Sequence, residues 1–453
     1  MPELIKIRKG LDISIVGAAE KIVVRQETLG SCALKPTDFV GLTPRLLVAE
    51  GDSVQAGTPL FCDKADEQIL FASPVSGTVT AITRGERRAI TEVVVTPDGS
   101  NAYVDFGPAA PLSITREQIV GKLLQSGTWP YLRQRPFGTV ANPAQPPKAI
   151  VVSGFDTAPL APDYDLLLHG RGEDFQAGLD AISRLTDGPV HLNLNPKMNL
   201  SGVFRNSKNV KINLFEGKHP AGNVGTQINR LCPINKGETV WFVGPQDVAT
   251  IGNLFNTGHY NPQKLIAFAG QGVDSPCYFH VLSGASIEPL AGEKVKSDNM
   301  RFISGNVLTG SNIGRGGHLG FYDNMVTVIP EGDDYEFMGW LAPGLKKFSF
   351  SHTFLSGILN TLGSSKKYNV NTNTHGGQRA LVQTGKFEQV FPFDIYPLQL
   401  LKACIIGDIE QMEALGIYEV EPEDFALCEF IDVSKTDMQQ IIRNALETLR
   451  KEC

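Results

Sequence analysis

Closely spaced cysteine pairs are missing from this sequence. Its seven cysteines are scattered along the chain, and no two of them stand in a C-x-x-C spacing. Zinc and iron–sulfur centres built from local motifs need such spacings, so we expect neither kind of centre in this chain. An odd number of widely separated cysteines also favours reduced thiols in a cytoplasmic protein over a disulfide framework.

Long apolar runs and blocks of positive charge are missing as well. No run approaches the roughly 18 residues of a membrane-spanning helix, and the formal net charge is −7. Nucleic-acid binding is not expected, because contacts to phosphates need clustered Lys and Arg. The first residues, MPELIKIRKGLDISIVGAAEK, lack the apolar segment of a signal peptide. A role at a membrane would therefore be peripheral.

Four segments of different pattern divide the 453 residues. Residues 1–105 alternate short apolar runs with Gly and Pro, which predicts a β domain. Residues 106–258 alternate helical spacing with apolar runs typical of buried strands, which predicts a doubly wound α/β domain. The strands predicted there are KAIVVSG, DLLLHG, PVHLNL, VKINLF and TVWFVG. Residues 259–335 predict a small β-rich module, and residues 336–453 a helical domain.

The final helix has the clearest helical pattern of the chain. Thr436 and Gln439 have the T-x-x-Q spacing of a capping box, which predicts the start of the helix. The apolar residues that follow recur at the spacing of one helix face. They are Met438, Ile441, Ile442, Ala445, Leu446 and Leu449.

The stretch GDSVQAGTPLFCDKADEQILFASPVSGTVTAI, residues 51–82, has the turn glycines and prolines of a biotinyl or lipoyl carrier domain. In true carriers the modified lysine lies at the tip of a tight hairpin. Here Lys64 stands beside the incoming strand, and the segment that follows it is longer than such a hairpin allows. The sequence therefore predicts a carrier-like scaffold on which Lys64 is an unmodified, solvated lysine.

Two specific stretches carry a family resemblance. They are W-P-x-L-R-x-R-P-F at residues 129–137 and K-H-P-A-G at residues 218–222. With these the chain resembles the A-type subunits of Na⁺-translocating NADH:quinone oxidoreductases, and more distantly the C-type subunits of Rnf complexes and the NADH-binding flavoprotein subunit of complex I. The resemblance implies a multidomain α/β fold. Its parts would be a biotinyl/lipoyl-like β domain, a Rossmann-like α/β domain, a β-grasp soluble-ligand-binding module and a C-terminal helical domain.

The resemblance also indicates where chemistry has been lost. Flavin-bearing relatives have a Gly-rich loop whose N–H groups approach the cofactor phosphate. At the matching place, residues 129–138, this chain has bulky side chains and two prolines, and proline has no N–H to donate. We therefore expect no flavin and no iron–sulfur cluster in this chain, and neither catalytic residues nor metal ligands.

The function implied by the resemblance is that of a peripheral subunit on the cytoplasmic face of the bacterial inner membrane. The complex would oxidise NADH, reduce quinone and pump Na⁺, with its flavins in other subunits. Those subunits would be the partners of this chain. Two roles stay open for the chain itself: assistance in quinone binding or assembly, or purely structural capping without a substrate site.

The best candidate for a quinone contact is the loop that contains Lys218 and His219. It follows the predicted strand VKINLF, and ligands of open α/β sheets bind at the carboxyl ends of strands. Both side chains could hydrogen-bond a quinone carbonyl, and the histidine could donate a proton near neutral pH. Trp129, Arg133 and Arg135 offer an aromatic plane and two cations to an aromatic ligand. The alternatives are a loop that contacts a partner protein and a salt-bridged Arg-rich turn.

A second loop, LHGRGEDFQAG at residues 168–178, places G-R-G between a predicted strand and a helix. This arrangement could hold a dinucleotide pyrophosphate. Only Gly170 and Gly172 fit the fingerprint, however, and Glu173 and Asp174 put negative charge where the phosphate would lie. A plain turn into the helix is the alternative.

Overall fold

The computed structural model describes residues 4–25, 30–292, 294–333, 336–339, 341–352, 354–357, 366–382 and 385–452. The strands among them are β1 (Leu4–Ile7), β2 (Val23–Arg25), β3 (Cys32–Leu34), β4 (Pro44–Leu46), β5 (Ser53–Val54), β6 (Pro59–Asp63), β7 (Leu70–Ala72), β8 (Gly77–Arg84), β9 (Ile90–Pro97), β10 (Arg133–Arg135), β11 (Thr139–Val140), β12 (Ile150–Ser153), β13 (Val190–Leu194), β14 (Lys211–Gly217), β15 (Val240–Phe242), β16 (Gln263–Ala269), β17 (Cys277–Leu282), β18 (Met300–Ser304), β19 (Ser311–Asn312) and β20 (Met325–Pro330). The α-helices are α1 (Arg116–Gln125), α2 (Tyr164–Leu167), α3 (Gly172–Ser183), α4 (Gly202–Arg205), α5 (Val224–Leu231), α6 (Pro245–Thr257), α7 (Glu288–Ala291), α8 (Pro397–Ile406), α9 (Ile409–Ala414), α10 (Ala426–Ile431) and α11 (Met438–Glu452).

Two small antiparallel sheets build the carrier-like segment, with the strand orders β3-β9-β8-β5 and β4-β6-β7. Alternating residues of the long hairpin β8–β9 point inward, so that Val79, Val93 and Val95 are fully buried. Lys64 directly follows β6 and is exposed, and its backbone N–H donates to the carbonyl of Thr43. The lysine therefore lies at the side of the β6–β7 connection, where its ammonium is solvated.

The largest sheet has the strand order β1-β14-β13-β12-β15-β10-β11. Strands β1 and β12 to β15 pair in parallel, and β10 and β11 close one edge in antiparallel orientation. The apolar runs predicted as buried strands are confirmed at β12, β13, β14 and β15, since continuous apolar runs suit strands covered on both faces. The carboxyl ends of these strands share one edge of the sheet, and the Lys218–His219 loop follows β14 there.

The run DLLLHG is the exception among the predicted strands. It lies in the short helix α2 and the turn that follows it, so the strand prediction was wrong. The carboxylate of Asp163 accepts a hydrogen bond from the N–H of Leu166 at 3.1 Å and caps the helix start. Leu167 then packs in a small buried cluster with Leu265 and Tyr278 of the next sheet.

Residues 4–25 connect three parts of the molecule. Strand β1 pairs in parallel with β14, β2 pairs in parallel with β17, and the isoleucines between them, Ile13 and Ile15, are buried in the core of the C-terminal helices. The sequence pattern placed this segment in the first domain, residues 1–105, and did not predict these pairings. Each strand finds its partner far along the chain, which local patterning cannot indicate.

A third sheet with the order β19-β18-β20-β16-β17-β2 mixes parallel and antiparallel pairs. The C-terminal helices α8 to α11 pack around their own buried cluster, and the apolar face predicted for α11 is buried at Met438, Ile442, Ala445, Leu446 and Leu449. None of the helices that the structure describes is long and apolar enough to cross a membrane.

The capping box predicted for α11 was wrong. The helix begins at Met438, and the carboxylate of Asp437 accepts from the N–H of Gln440 at 3.3 Å. Asp437 therefore takes the cap position one residue after Thr436. Aspartate and threonine are both good caps, so spacing alone could not separate the two starts.

Candidate functional site

The loop after β14 exposes one of its two candidate side chains and buries the other. Lys218 is exposed, whereas His219 is only 3% exposed. The N-terminal segment covers this histidine: Leu11 N–H donates to the carbonyl of His219 at 2.8 Å, and His219 N–H donates to a carboxylate oxygen of Asp12 at 3.0 Å. On the other side the hydroxyl of Thr157 lies 3.2 Å from Nδ1 of the ring. The N-terminal segment thus binds the backbone of His219, and Thr157 contacts its ring.

Burial lowers the pKa of His219 to about 4. The ring is therefore neutral near pH 7, because desolvation disfavours the imidazolium form. The sequence predicted a histidine that donates a proton near neutral pH, and the structure does not support that role. A neutral imidazole still offers one N–H donor and one acceptor.

Gly10 allows the N-terminal segment to lie this close. It adopts φ +147°, and a Cβ at this position would lie 2.2 Å from the carbonyl oxygen of His219. We expect Gly10→Ala to displace the segment, to expose the imidazole and to raise its pKa toward the ordinary value of about 6.5. NMR titration of the His219 ring would measure this shift.

Gly51→Ala is the matched control for this prediction. Gly51 also has a positive φ, +94°, but no atom lies within 4 Å of the point where a Cβ would stand. The control should leave the titration of His219 unchanged. An unchanged titration in Gly10→Ala as well would contradict the covering role of the N-terminal segment.

A buried network of polar side chains connects β14 to the loop that follows it. Asn213 of β14 donates to the side-chain oxygen of Asn193 at 2.8 Å, Asn193 donates to Gln227 at 2.9 Å, and Gln227 donates to the hydroxyl of Ser153 at 2.8 Å. Ser153 in turn donates to the carbonyl of Gly222 at 3.0 Å. Such a connected network rigidifies its surroundings. The residues of this network were not predicted as site residues from the sequence. The alternation of polar and apolar residues in HLNLN, residues 191–195, was a signal for them.

Trp129 is part of the protein interior. Its ring is fully buried, its Nε1 donates to the carbonyl of Ala141 at 2.7 Å, and its centroid lies 5.5 Å from that of Trp241 in an edge-to-face arrangement. Both the polar and the apolar part of the indole are therefore satisfied within the protein.

Arg133 lies between two aromatic rings. Its guanidinium carbon is 4.4 Å from the centroid of Phe242 and 4.0 Å from that of Tyr322. The sequence predicted that Trp129, Arg133 and Arg135 offer an aromatic plane and two cations to an aromatic ligand. In the structure both rings belong to other residues of the chain. The contact joins strand β10 to the segment before β20.

Arg135 is 1% exposed and lies among three acidic residues of the C-terminal part. Its Nη1 is 2.8 Å from Asp424, its Nη2 is 2.5 Å from Glu423, and its Nε is 3.6 Å from Glu421. Burial alone would lower the pKa of this guanidinium, but the three acids raise it. The side chain is charged, its Nη1 and Nη2 donate hydrogen bonds to Asp424 and Glu423, and it holds the α/β sheet against the C-terminal helices.

Burial also changes the pKa values of the acidic residues around Arg135. Burial raises the pKa of Asp424 to about 7, and Arg135 offsets only part of this effect because Glu423 adds a second negative charge. Burial likewise raises the pKa of Glu421. Arg135 does not offset the full effect of burial on these acids, so the cluster retains a proton at mildly acidic pH.

The structure does not gather the five candidate residues around one cavity. Arg135 approaches the start of α5, where a Cβ on Gly225 would lie 2.6 Å from its guanidinium, but Lys218 points to solvent at the other end of the loop. The segment matching the flavin loop does not fit a phosphate cradle, because its bulky side chains are buried and Pro130 and Pro136 lack N–H groups. Among the described residues, no group of three or more His, Cys, Asp or Glu could hold a metal ion.

These features define a multidomain α/β protein in which a carrier-like β domain, a mainly parallel sheet, a mixed sheet and a helical end are joined by buried polar contacts. Three family models match the chain in the same order. They are the NqrA N-terminal barrel-sandwich hybrid domain over residues 5–98, the NqrA second alpha/beta domain over residues 114–260 and the NQRA C-terminal domain over residues 265–314.

Full-length relatives agree with these matches. The A-type subunit of Na(+)-translocating NADH-quinone reductase from Serratia proteamaculans is 39% identical, with 99% of this chain and 100% of the relative covered. Its counterpart from Neisseria meningitidis serogroup B is 38% identical with the same coverage, and that from Rhodopirellula baltica is 39% identical with 99% and 98% covered. The chain belongs to the NqrA family, the A-type subunits of Na⁺-translocating NADH-quinone reductases, and the resemblance inferred from its sequence is confirmed.

Proposed function

We propose that this chain is the peripheral NqrA-type subunit of a membrane complex that oxidises NADH, reduces quinone and moves Na⁺, and that it lies on the cytoplasmic face. The observation that carries this proposal is the match to NqrA relatives over 99% of the chain. The chain would hold no redox centre of its own, because residues 129–138 carry bulky, largely buried side chains and two prolines where the resemblance places the glycines of flavin-bearing relatives. Electron transfer would then take place in the other subunits.

The finer fold labels belong to the same proposal. The parallel strands β14, β13, β12 and β15, connected through helices, support a Rossmann-like domain. The mixed sheet of β16 to β20 with the short helix α7 supports a β-grasp module.

Within the complex, we assign to the loop after β14 a part in quinone binding. Lys218 is an exposed cation at the carboxyl end of β14 and can donate a charge-assisted hydrogen bond to a quinone carbonyl. His219, neutral and held in place, can offer a second, uncharged donor after a small movement of the N-terminal segment. Direct contacts from Trp129 and Arg135 are not retained in this proposal, because both side chains are buried and bind other residues of the chain. Arg133, held between two rings, would support the strand edge rather than the ligand.

Structural capping is the second candidate function. It is favoured by the three-acid cluster around Arg135 and by the N-terminal segment, which tie the domains into one unit. A protein built in this way could stabilise the complex without any contact to quinone.

Quinone binding to the isolated chain separates the two functions. We expect saturable binding of a short-tailed quinone in calorimetry or saturation-transfer NMR, and we expect Lys218→Ala to weaken it by about tenfold, the effect of one lost charge-assisted hydrogen bond. Lys64→Ala is the control, since Lys64 is also an exposed lysine but lies in the carrier-like domain. No saturable binding, or equal binding by Lys218→Ala, would favour capping.

A further inference from the structure

Two neighbouring cavities lie where the third sheet meets the carrier-like domain and the α/β domain. Their volumes are about 350 and 260 Å³, and three residues line both of them: Asn261, Gln263 and His280. Together they have the size at which small-molecule sites begin, about 300 Å³ and more. None of the five candidate quinone residues lines either cavity. The double cavity is therefore separate from the loop after β14.

Arg171 stands in the wall of the smaller cavity, at the start of α3. Its guanidinium donates to the carbonyl of Gln263 at 3.0 Å and reaches the hydroxyl of Thr250 at 3.5 Å, both of which are neutral oxygens. Within the described part of the chain, no carboxylate oxygen lies within the 4.0 Å of an ion pair from it. A half-buried guanidinium whose partners are neutral oxygens is an available anion ligand.

The acidic residue of this cavity, Asp174, forms no ion pair with Arg171 within 4.0 Å; burial lowers the pKa of Arg171, and the nearby charge of Asp174 raises it. Both carboxylate oxygens of Asp174 accept hydrogen bonds from side-chain amides, at 3.0 Å from Asn253 and at 2.9 Å from Asn256. The other cation of the wall, Lys264, is fully buried and lies 3.3 Å from Asp247, so it is already paired. Among the described cations of this cavity wall, Arg171 is thus the one without an ion-pair partner, and it can bind an anionic ligand.

Arg25 brings a second positive charge to the larger cavity. It lies at the end of β2, opposite His280 in the parallel pair β2–β17, and it is exposed. Burial lowers the pKa of His280, and the positive charges of Arg25 and Arg171 lower it further. Both guanidinium groups therefore act on the histidine that the two cavities share. In a chain with a net charge of −7, this is a local concentration of positive charge.

We propose that the double cavity binds a small oxyanion, a phosphate or carboxylate group, between Arg171 and Arg25, with the amides of Asn261 and Gln263 as neutral donors. The loop HGRG at residues 169–172 thereby acquires a function that its sequence only suggested. The binding group would be the Arg171 side chain, and the glycine fingerprint of a dinucleotide site is not required. The ligand is a molecule separate from the quinone of the proposed function, and its test does not depend on that function.

Calorimetry on the full chain tests this proposal, with pyrophosphate and citrate as probes at constant ionic strength set by chloride. We expect saturable binding of at least one probe at millimolar concentration and about a tenfold loss of affinity in Arg171→Gln and in Arg25→Gln. Arg184→Gln is the matched control, because Arg184 is an exposed arginine at the other end of the same helix α3. The control should bind like the wild type.

The choice of probe identifies the ligand chemistry. Binding of pyrophosphate alone assigns a phosphate ligand, and binding of citrate alone assigns a carboxylate ligand. Arg25 is exposed, so Arg25→Gln reports on the site even if Arg171→Gln, which loses its bond to Gln263, unfolds. Absence of saturable binding of both probes, or binding that Arg25→Gln and Arg184→Gln retain equally, overturns the proposal.

Discussion

Replacing Arg135 with methionine is expected to lower the free energy of unfolding by about 3–5 kcal/mol at neutral pH, the usual cost of removing one partner from a buried ion pair. The guanidinium is 1% exposed and is the cation that faces Asp424, Glu423 and Glu421. Its removal leaves buried carboxyl groups that must either stay charged without a partner or take up protons. Urea denaturation followed by circular dichroism would measure the loss.

The loss should depend on pH. Burial raises the pKa of Asp424 to about 7 in the folded protein, compared with 3.8 for an ordinary aspartate. The folded state therefore binds more protons than the unfolded state between about pH 4 and 7, so this group contributes stability at low pH that is lost as the pH rises through 7. Without Arg135 the pKa values of the acids rise further, because the opposite charge that they face is gone. We expect the cost of Arg135→Met to be larger at pH 8 than at pH 5.

Two controls make this prediction specific. Arg184→Met changes an exposed arginine and should alter stability by no more than about 0.5 kcal/mol at either pH. Combining Arg135→Met with Asp424→Asn should recover part of the loss, because it removes a carboxylate that has lost its partner. An equal loss at both pH values would contradict the prediction, because it would show that the acidic residues around Arg135 do not change their protonation between pH 5 and pH 8.

Local patterns were enough to predict much of the fold. The apolar runs of β12 to β15 have the length and composition of buried parallel strands, and they fold as such. DLLLHG has a similar composition but forms α2, because Asp163 caps the start of a helix and Leu167 has an apolar neighbour to pack against. A short apolar run does not by itself distinguish a strand from a helical turn.

The position of the candidate site could be predicted from the sequence, but the burial of His219 could not. Lys218 and His219 follow a predicted strand, so their position at the edge of the sheet could be read from the chain. The segment that covers His219 could not be predicted, because Asp12 is 207 residues away in sequence. The neutral state of the histidine follows from its burial, which depends on parts of the chain far away in sequence. Spacing within the loop therefore overestimates how readily the ring would accept a proton.

The partners of Arg133 and Arg135 are other residues of the chain and not a ligand. Two arginines beside a tryptophan suggested cations facing an aromatic ligand. The aromatic partners of Arg133 are Phe242 and Tyr322, and the anionic partners of Arg135 lie in residues 421–424. The acidic run E-P-E-D was visible in the sequence, but nothing in its pattern indicates which cation it meets.

Truncating Trp129 to alanine is expected to cost about 3–5 kcal/mol, because it removes a fully buried indole and leaves a large cavity. Part of that effect comes from the hydrogen bond between Nε1 and the carbonyl of Ala141 at 2.7 Å. Trp129→Phe retains an aromatic ring and loses this bond. Its expected cost is therefore smaller and includes about 1 kcal/mol for the hydrogen bond.

Trp241→Phe provides the matched comparison, since it makes the same substitution in the neighbouring ring. Trp241 is also fully buried, but its Nε1 has no hydrogen-bond acceptor among the described residues. We therefore expect Trp129→Phe to be the more destabilising of the two by about 1 kcal/mol in chemical denaturation. Equal losses would mean that the Ala141 contact contributes little.

If Trp129 is an interior residue, the assembled complex with Trp129→Phe should keep the KM for quinone of the wild type. A raised KM with folding intact would instead make the indole a quinone contact.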